Sequence, residues 1–150
     1  MVTRYHDTEI RKSLREEFDS GVIEEIGDYN IYAEGLESSF PFVGSKINWR
    51  RVPGVIGHLQ RNVSLETENL RDFVGKVSKD NCLTGNFIYI GDNLTSFAIR
   101  GPMSILSDIL PKLMEIPQHH YFVDEQFLWC LTMTMEGEMD FGFKPDSSLL

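Results

Sequence analysis

The sequence predicts an α+β fold: a single domain built on an antiparallel sheet of hairpins, with about three helices packed mainly on one face. Three observations carry that expectation. The run from Ile116 to Phe143 alternates with a period of two around Glu136-Gly137, as a hairpin does. A second pair of β-prone runs, NFIYI and LTSFAI, flanks Gly91-Asp92-Asn93. Between and before these hairpins lie segments with helical apolar spacing and no βαβ alternation, so helices layered on an antiparallel sheet are the economical arrangement.

The first helix is expected from about Thr8 to Phe18, where Ile10, Leu14 and Phe18 recur every fourth residue, Asp7 or Thr8 can cap the start and Ser20-Gly21 ends it. The following VIEEIGDYNIYAEG reads as a short strand pair or an irregular strand, with Tyr29, Ile31 and Ala33 alternating. From Gly35 to Gly57, serine, proline and glycine punctuate the chain too often for a long element, so a long loop with one short turn is expected. That loop is rich in large side chains, Phe40, Phe42, Val43, Ile47, Trp49 and Val52, for which packing on the core is commoner than exposure. Four basic and no acidic residues fall between Lys46 and Arg61, so charge is unevenly spread.

A second helix is expected from Ser64 or Thr67 to Ser78, with Leu70, Phe73, Val74 and Val77 on one face, acids near its start and lysines near its end. Gly101-Pro102 opens a third, with Pro102 in its first turn and Ile105, Leu106, Ile109, Leu110, Leu113 and Met114 as its apolar stripe. Pro111 predicts a kink there, and Pro117 the end. In the last hairpin Phe127, Trp129, Leu131, Met133 and Met135 share a face assigned to the core, resumed by Met139, Phe141 and Phe143. Leu128, Cys130, Thr132 and Thr134 take the other face. The tail from about 145 to 150 is expected to fray.

Composition bounds the function. The chain of 150 residues has 41% hydrophobic and 25% charged residues, ordinary for one globular domain. No apolar run suits a membrane span or a secretory leader, which points to the cytoplasm. With 23 acidic against 14 basic residues the net charge is −9, a field that repels nucleic acid and anionic membranes and attracts a cationic partner. Cys82 and Cys130 lie far apart without a CxxC, consistent with two free thiols.

Few residues suggest chemistry. His119 and His120 with Asp124 and Glu125 could serve a metal or an acid–base step, but adjacent histidines in an extended segment face opposite ways. A polar entry to a strand is the plainer reading. A thiol dyad of Cys130 with either histidine is disfavoured, because Cys130 falls on the sheet face opposite Trp129, between Leu128 and Thr132, and a buried cysteine is usually inert packing. Phosphate-loop, GxSxG, HExxH and calcium-loop patterns are missing, so neither an enzyme nor a cofactor is expected. Glu136, Glu138 and Asp140 line the outward face of the hairpin, with Asp124 and Glu125 just before it. Together they could form an acidic patch, against the plainer reading of a solvated strand face.

The segments GDNLTSFAIR, LPKLMEIPQHHYFVD and QFLWCLTMTMEGEMDFGF resemble the immunity proteins of contact-dependent growth inhibition and related polymorphic toxin systems, small bacterial proteins encoded beside secreted toxins. The likeness spans about Gly91 to Phe143, and its most characteristic part is HHYFxxxxFxWC from His119 to Cys130 followed by TMEGxMxFG from Thr134 to Gly142. The resemblance implies an α+β protein that binds a cognate toxin domain noncovalently in the cytoplasm and blocks it. The acidic balance fits a basic toxin such as a nuclease, with Asp124, Glu125, Glu136, Glu138 and Asp140 as candidate contacts. Two alternatives stand beside it: an enzyme or metal-binding protein using the histidines with Asp124 or Glu125, and an interaction module presenting the Phe40–Trp49 loop.

Overall fold

The computed structural model of the protein describes residues 5–59 and 66–146. Seven strands form one antiparallel sheet: β1 (Glu24–Asp28), β4 (Ile56–Leu59), β5 (Asn86–Gly91), β6 (Phe97–Pro102), β7 (His120–Asp124), β8 (Trp129–Met133) and β9 (Glu138–Phe143), in the order β1-β6-β5-β7-β8-β9-β4. A separate two-stranded hairpin joins β2 (Phe42–Val43) to β3 (Lys46–Ile47). Five α-helices are described: α1 (Tyr5–Ser13), α2 (Arg15–Ser20), α3 (Tyr29–Ser39), α4 (Glu66–Asp80) and α5 (Leu106–Leu113). The α+β class is as expected, with five helices rather than about three. The frayed tail expected at 147–150 lies outside the described residues.

Both faces of the sheet are covered, and this is the main departure from the expected one-sided layering. On one face Phe87, Tyr89, Ile99, Phe122, Trp129, Leu131, Met139 and Phe141 pack under α1, α4 and α5, which contribute Ile10, Leu70, Val74, Leu106, Ile109, Leu110 and Leu113. On the other, Ile88, Ile90, Ala98, Tyr121, Val123 and Cys130 meet Leu36 and Phe40 of α3 and its C-terminus and Ile47 and Val52 of the following segment. Strands feeding two cores must be apolar on both sides, and NFIYI is nearly continuous for that reason. The Cys130 side of β8 is therefore core as well, and Thr132 is buried on it, accepting a hydrogen bond from Trp49 Nε1 at 3.2 Å.

Tyr29 to Ala33 form the first turns of α3 instead of a strand. Asp28 caps that helix, its carboxylate accepting from Asn30 N at 2.7 Å, and Tyr29, Tyr32, Ala33 and Leu36 recur at helical spacing toward the sheet. The segment expected as a loop from Gly35 to Gly57 carries the end of α3, the β2–β3 hairpin, a 3-10 turn at Trp49–Arg51 and β4. Phe40, Ile47 and Val52 pack as expected, whereas Val43, expected with them, is exposed at the hairpin.

Smaller corrections have local causes. Asp7 sits inside α1 and not ahead of it, buried, where its carboxylate accepts from Ser96 N at 2.8 Å and from the Ser96 hydroxyl. The first helix breaks at Leu14. Pro102 ends β6, and a 3-10 turn at Met103–Ile105 precedes α5. Phe127 precedes β8 with φ +60°, which breaks the alternation and turns its ring to the α3 face, against Gly35. Met135 and Phe143, expected in the core, are 58% and 47% exposed, because they lie at or beyond the strand ends.

Candidate functional site

The antiparallel register determines which polar residues meet. Gly91 pairs with His120, His120 with Met133, and Met133 with Met139, so one end of the sheet gathers the β5–β6 connection, the start of β7 and the β8–β9 turn. The β2–β3 hairpin leans on this end through Tyr121, whose hydroxyl donates to Ser45 O at 2.8 Å, and through Lys46, whose Nζ lies 3.2 Å from Glu136.

A buried polar network holds this end together. Gln118 Nε2 donates to the Tyr89 hydroxyl and to Thr95 Oγ1, both at 3.0 Å, while its Oε1 accepts from Leu94 N at 2.8 Å. The Tyr89 hydroxyl meets His120 Nδ1 at 2.8 Å. Burial pushes the His120 pKa down to about 4 and raises that of Tyr89. Every polar atom named has a partner, so the network fixes the β5–β6 connection onto β7.

His119, the neighbouring residue, points away from that network and is largely covered by the β8–β9 turn. Its Nδ1 accepts from Met135 N at 3.0 Å, and its backbone N–H donates to Asp92 Oδ1 at 3.0 Å. Imidazole nitrogens lie 4.0 Å from Asp92 and from Glu136. The two histidines thus separate as the extended spacing predicts, one into the network and one into the turn. Asp124 and Glu125 stand at the opposite end of β7, about 13 Å away at ~3.3 Å per residue. His119, His120, Asp124 and Glu125 are therefore not brought together. Among the described residues no group of three or more His, Cys, Asp or Glu is placed to hold a metal. Cys130 is buried, with its thiol pKa raised by that burial, and Cys82 is free and exposed.

The five candidate carboxylates divide in the same way. Asp124 accepts from Gln126 N and Leu128 N, shaping the β7–β8 turn. Glu125 accepts from Asn86 Nδ2 at 2.6 Å and lies 3.6 Å from Arg100, which also pairs with Glu24. Both belong to the far end. Glu136, Glu138 and Asp140 belong to the near end. Glu136 is held below its usual range chiefly by its own backbone N–H, with help from Lys46 and Thr134. Asp140 is half-buried against Gly57, where a Cβ would sit 2.6 Å from Oδ1; burial, and then the charge of Glu138, raise its pKa to about 6. No ion pair among the described residues involves Glu138.

Sequence reasoning missed the roles of Asp92 and Asp28, both read only as turn residues, the latter with Gly27 between two β-prone runs; Asp28 ends β1 and caps α3. Asp28 pairs with Phe97 at the same end. Next to the carboxylates are two exposed apolar side chains: Val43, 64% exposed and paired with Lys46 across its hairpin, and Met135, beside Glu136. No protein-family model matches this chain, and no curated protein matches it. Among the described residues no helix is long and apolar enough to cross a membrane.

Proposed function

We propose that the protein is an immunity protein that binds and neutralises a basic cognate toxin domain, and that the near end of the sheet is its contact surface. The observation that carries this reading is that Asp92 and Glu136 converge on His119 at one end of the sheet, with Glu138 opening the strand after the same turn and Met135 and Val43 exposed on the turn and on the Lys46 hairpin. A few apolar anchors within an acidic rim suit a basic partner, since carboxylates steer its approach and the anchors exclude water on contact. The resemblance over Gly91 to Phe143 and the net charge of −9 support the same reading. Binding is noncovalent, takes place in the cytoplasm and needs no cofactor. Of the five carboxylates first considered, Glu136 and Glu138 remain direct contacts. Asp140 acts beside them, while Asp124 and Glu125 serve the far end.

Co-expression with the toxin fragment encoded immediately upstream tests this. The expected outcome is a complex that survives gel filtration and cells that survive toxin expression. Unprotected cells without a complex would overturn it.

A further inference from the structure

Beside the acidic end a cleft of about 210 Å³ opens between α3 and the β2–β3 hairpin, over β5. Its apolar surface comes from Tyr29, Phe42 and Tyr121 with Ile90 beneath, and two carboxylates, Glu37 and Asp92, also line it. No basic side chain does. The Tyr121 hydroxyl already donates to Ser45 O and is not free to bond a ligand. Asp92 gives one oxygen to the His119 amide, and its charge reaches Tyr121, where it adds to burial in raising the phenol's pKa.

Aromatic walls with two carboxylates suit a cation with a flat apolar body. An anion finds no counter-charge here, and a purely aliphatic side chain would leave Asp92 desolvated with only its His119 bond. A lysine ammonium is compact and strongly hydrated, so it would lose more water for fewer contacts. A guanidinium is planar and weakly hydrated; it stacks on aromatic rings and donates to a carboxylate through two parallel N–H groups. We infer that the cleft receives one arginine side chain projecting from the basic partner, so that the cleft is the specificity pocket of the surface proposed above. This inference rests on that reading of the surface, but its test can fail independently.

The experiment is an NMR titration of the ¹⁵N-labelled protein at low salt with N-acetyl-arginine amide, and in parallel with its neutral isostere N-acetyl-citrulline amide and with N-acetyl-lysine amide. For a single side chain the expected affinity is on the order of 1–10 mM. Saturable shifts should centre on the amides of Ala33, Ile90, Gly91 and Asp92, with the citrulline and lysine compounds binding at least ~5-fold more weakly. Glu37→Gln, at an exposed helix position, and Asp92→Asn, which keeps an acceptor for the His119 amide, should each weaken the arginine compound by about 3-fold or more while leaving the rest of the spectrum in place. Shifts that do not saturate at these amides, or an equal response to the citrulline compound, would overturn the inference. A toxin complex that forms while the cleft ignores arginine would leave the immunity reading standing and remove this pocket from it. A cleft that selects arginine in a chain that binds no toxin would do the reverse.

Discussion

Both ends of the sheet carry carboxylates and use them differently. At the far end Glu24 and Glu125 share Arg100, Asn86 adds a bond to Glu125, and Asp124 is committed to the β7–β8 turn. At the near end Lys46 is the cation bonded to Glu136, and Glu138 has no ion pair among the described residues. A partner's cation meeting the far end would have to displace a cation already in place, for little net gain. At the near end it adds a counter-charge where one is short. Availability, more than the presence of an acid, therefore separates a contact surface from an ordinary solvated one. The near end also rests on the buried Gln118–Tyr89–His120 network, so its surface groups are held by a support that tolerates little change.

The largest expected effect concerns that support. His120 has a folded-state pKa of about 4 against 6.5 in the unfolded chain, so the unfolded state binds more protons between those values. Stability from the neutral imidazole is complete above pH 6.5 and falls away toward pH 4, by up to roughly 3 kcal/mol. Urea midpoints measured from pH 7.5 down to 4.5 should drop accordingly, and His120→Gln should flatten that drop. An unchanged pH profile in the variant would place the acid sensitivity elsewhere.

Next in size is Gly91→Ala. A Cβ at Gly91 would stand 1.9 Å from Gln118 Nε2, forcing the amide away from Tyr89, Thr95 and Leu94. A loss of about 2–3 kcal/mol in chemical denaturation is expected from overpacking and the orphaned partners. Gly75→Ala on α4, where a Cβ meets nothing within 4 Å, is the control that should not destabilise.

Charge reversal then contrasts the ends directly. Glu136→Lys with Glu138→Lys should slow association with the proposed basic toxin by about 10-fold at low salt and flatten its salt dependence. Glu24→Lys with Glu125→Lys, at the far end, should change the rate by less than about 2-fold beyond the shared effect of net charge. Stopped-flow association of the purified proteins reads both, and equal slowing by the two pairs would mean that only the overall field matters.

How far the sequence disclosed this arrangement depended on the range of the contacts involved. The β5–β6 and β8–β9 hairpins, α4 and the α5 stripe were legible because their signals are local: turn residues between alternating runs, and apolar spacing of three and four. Tyr29 to Ala33 were misread because YNIYA alternates like a strand, and only the cap from Asp28 and the reach of Leu36 to the sheet decide for a helix. Glu125 and Glu136 looked like neighbours because both flank β8. A strand of five residues carries the chain from one end of the sheet to the other, so they stand apart, whereas Asp92, 44 positions from Glu136 in sequence, shares its end through register. No pattern within a short window holds that information.

The smallest expected effect tests whether Asp140 belongs with the available carboxylates or with the support. It lies on the same strand and face as Glu138, but it is half-buried over Gly57, and its pKa is raised to about 6 by burial and then by Glu138. A carboxyl whose folded pKa exceeds its unfolded value contributes most when protonated, so its favourable contribution is present below about pH 4 and is lost as pH rises through 6. At pH 7.5 the ionised group opposes folding slightly, opposite in sign to the effect of His120. Asp140→Asn should raise stability at pH 7.5 by less than about 1 kcal/mol, the partial exposure of the group limiting the gain, and should be neutral near pH 4. Its association with the toxin should stay close to wild type, because the side chain faces Gly57 and contributes to the contact mainly through field. If the variant instead loses stability at pH 7.5, the carboxylate is satisfied in place and belongs to the support. A loss of binding out of proportion to one charge would move it into the contact surface beside Glu138.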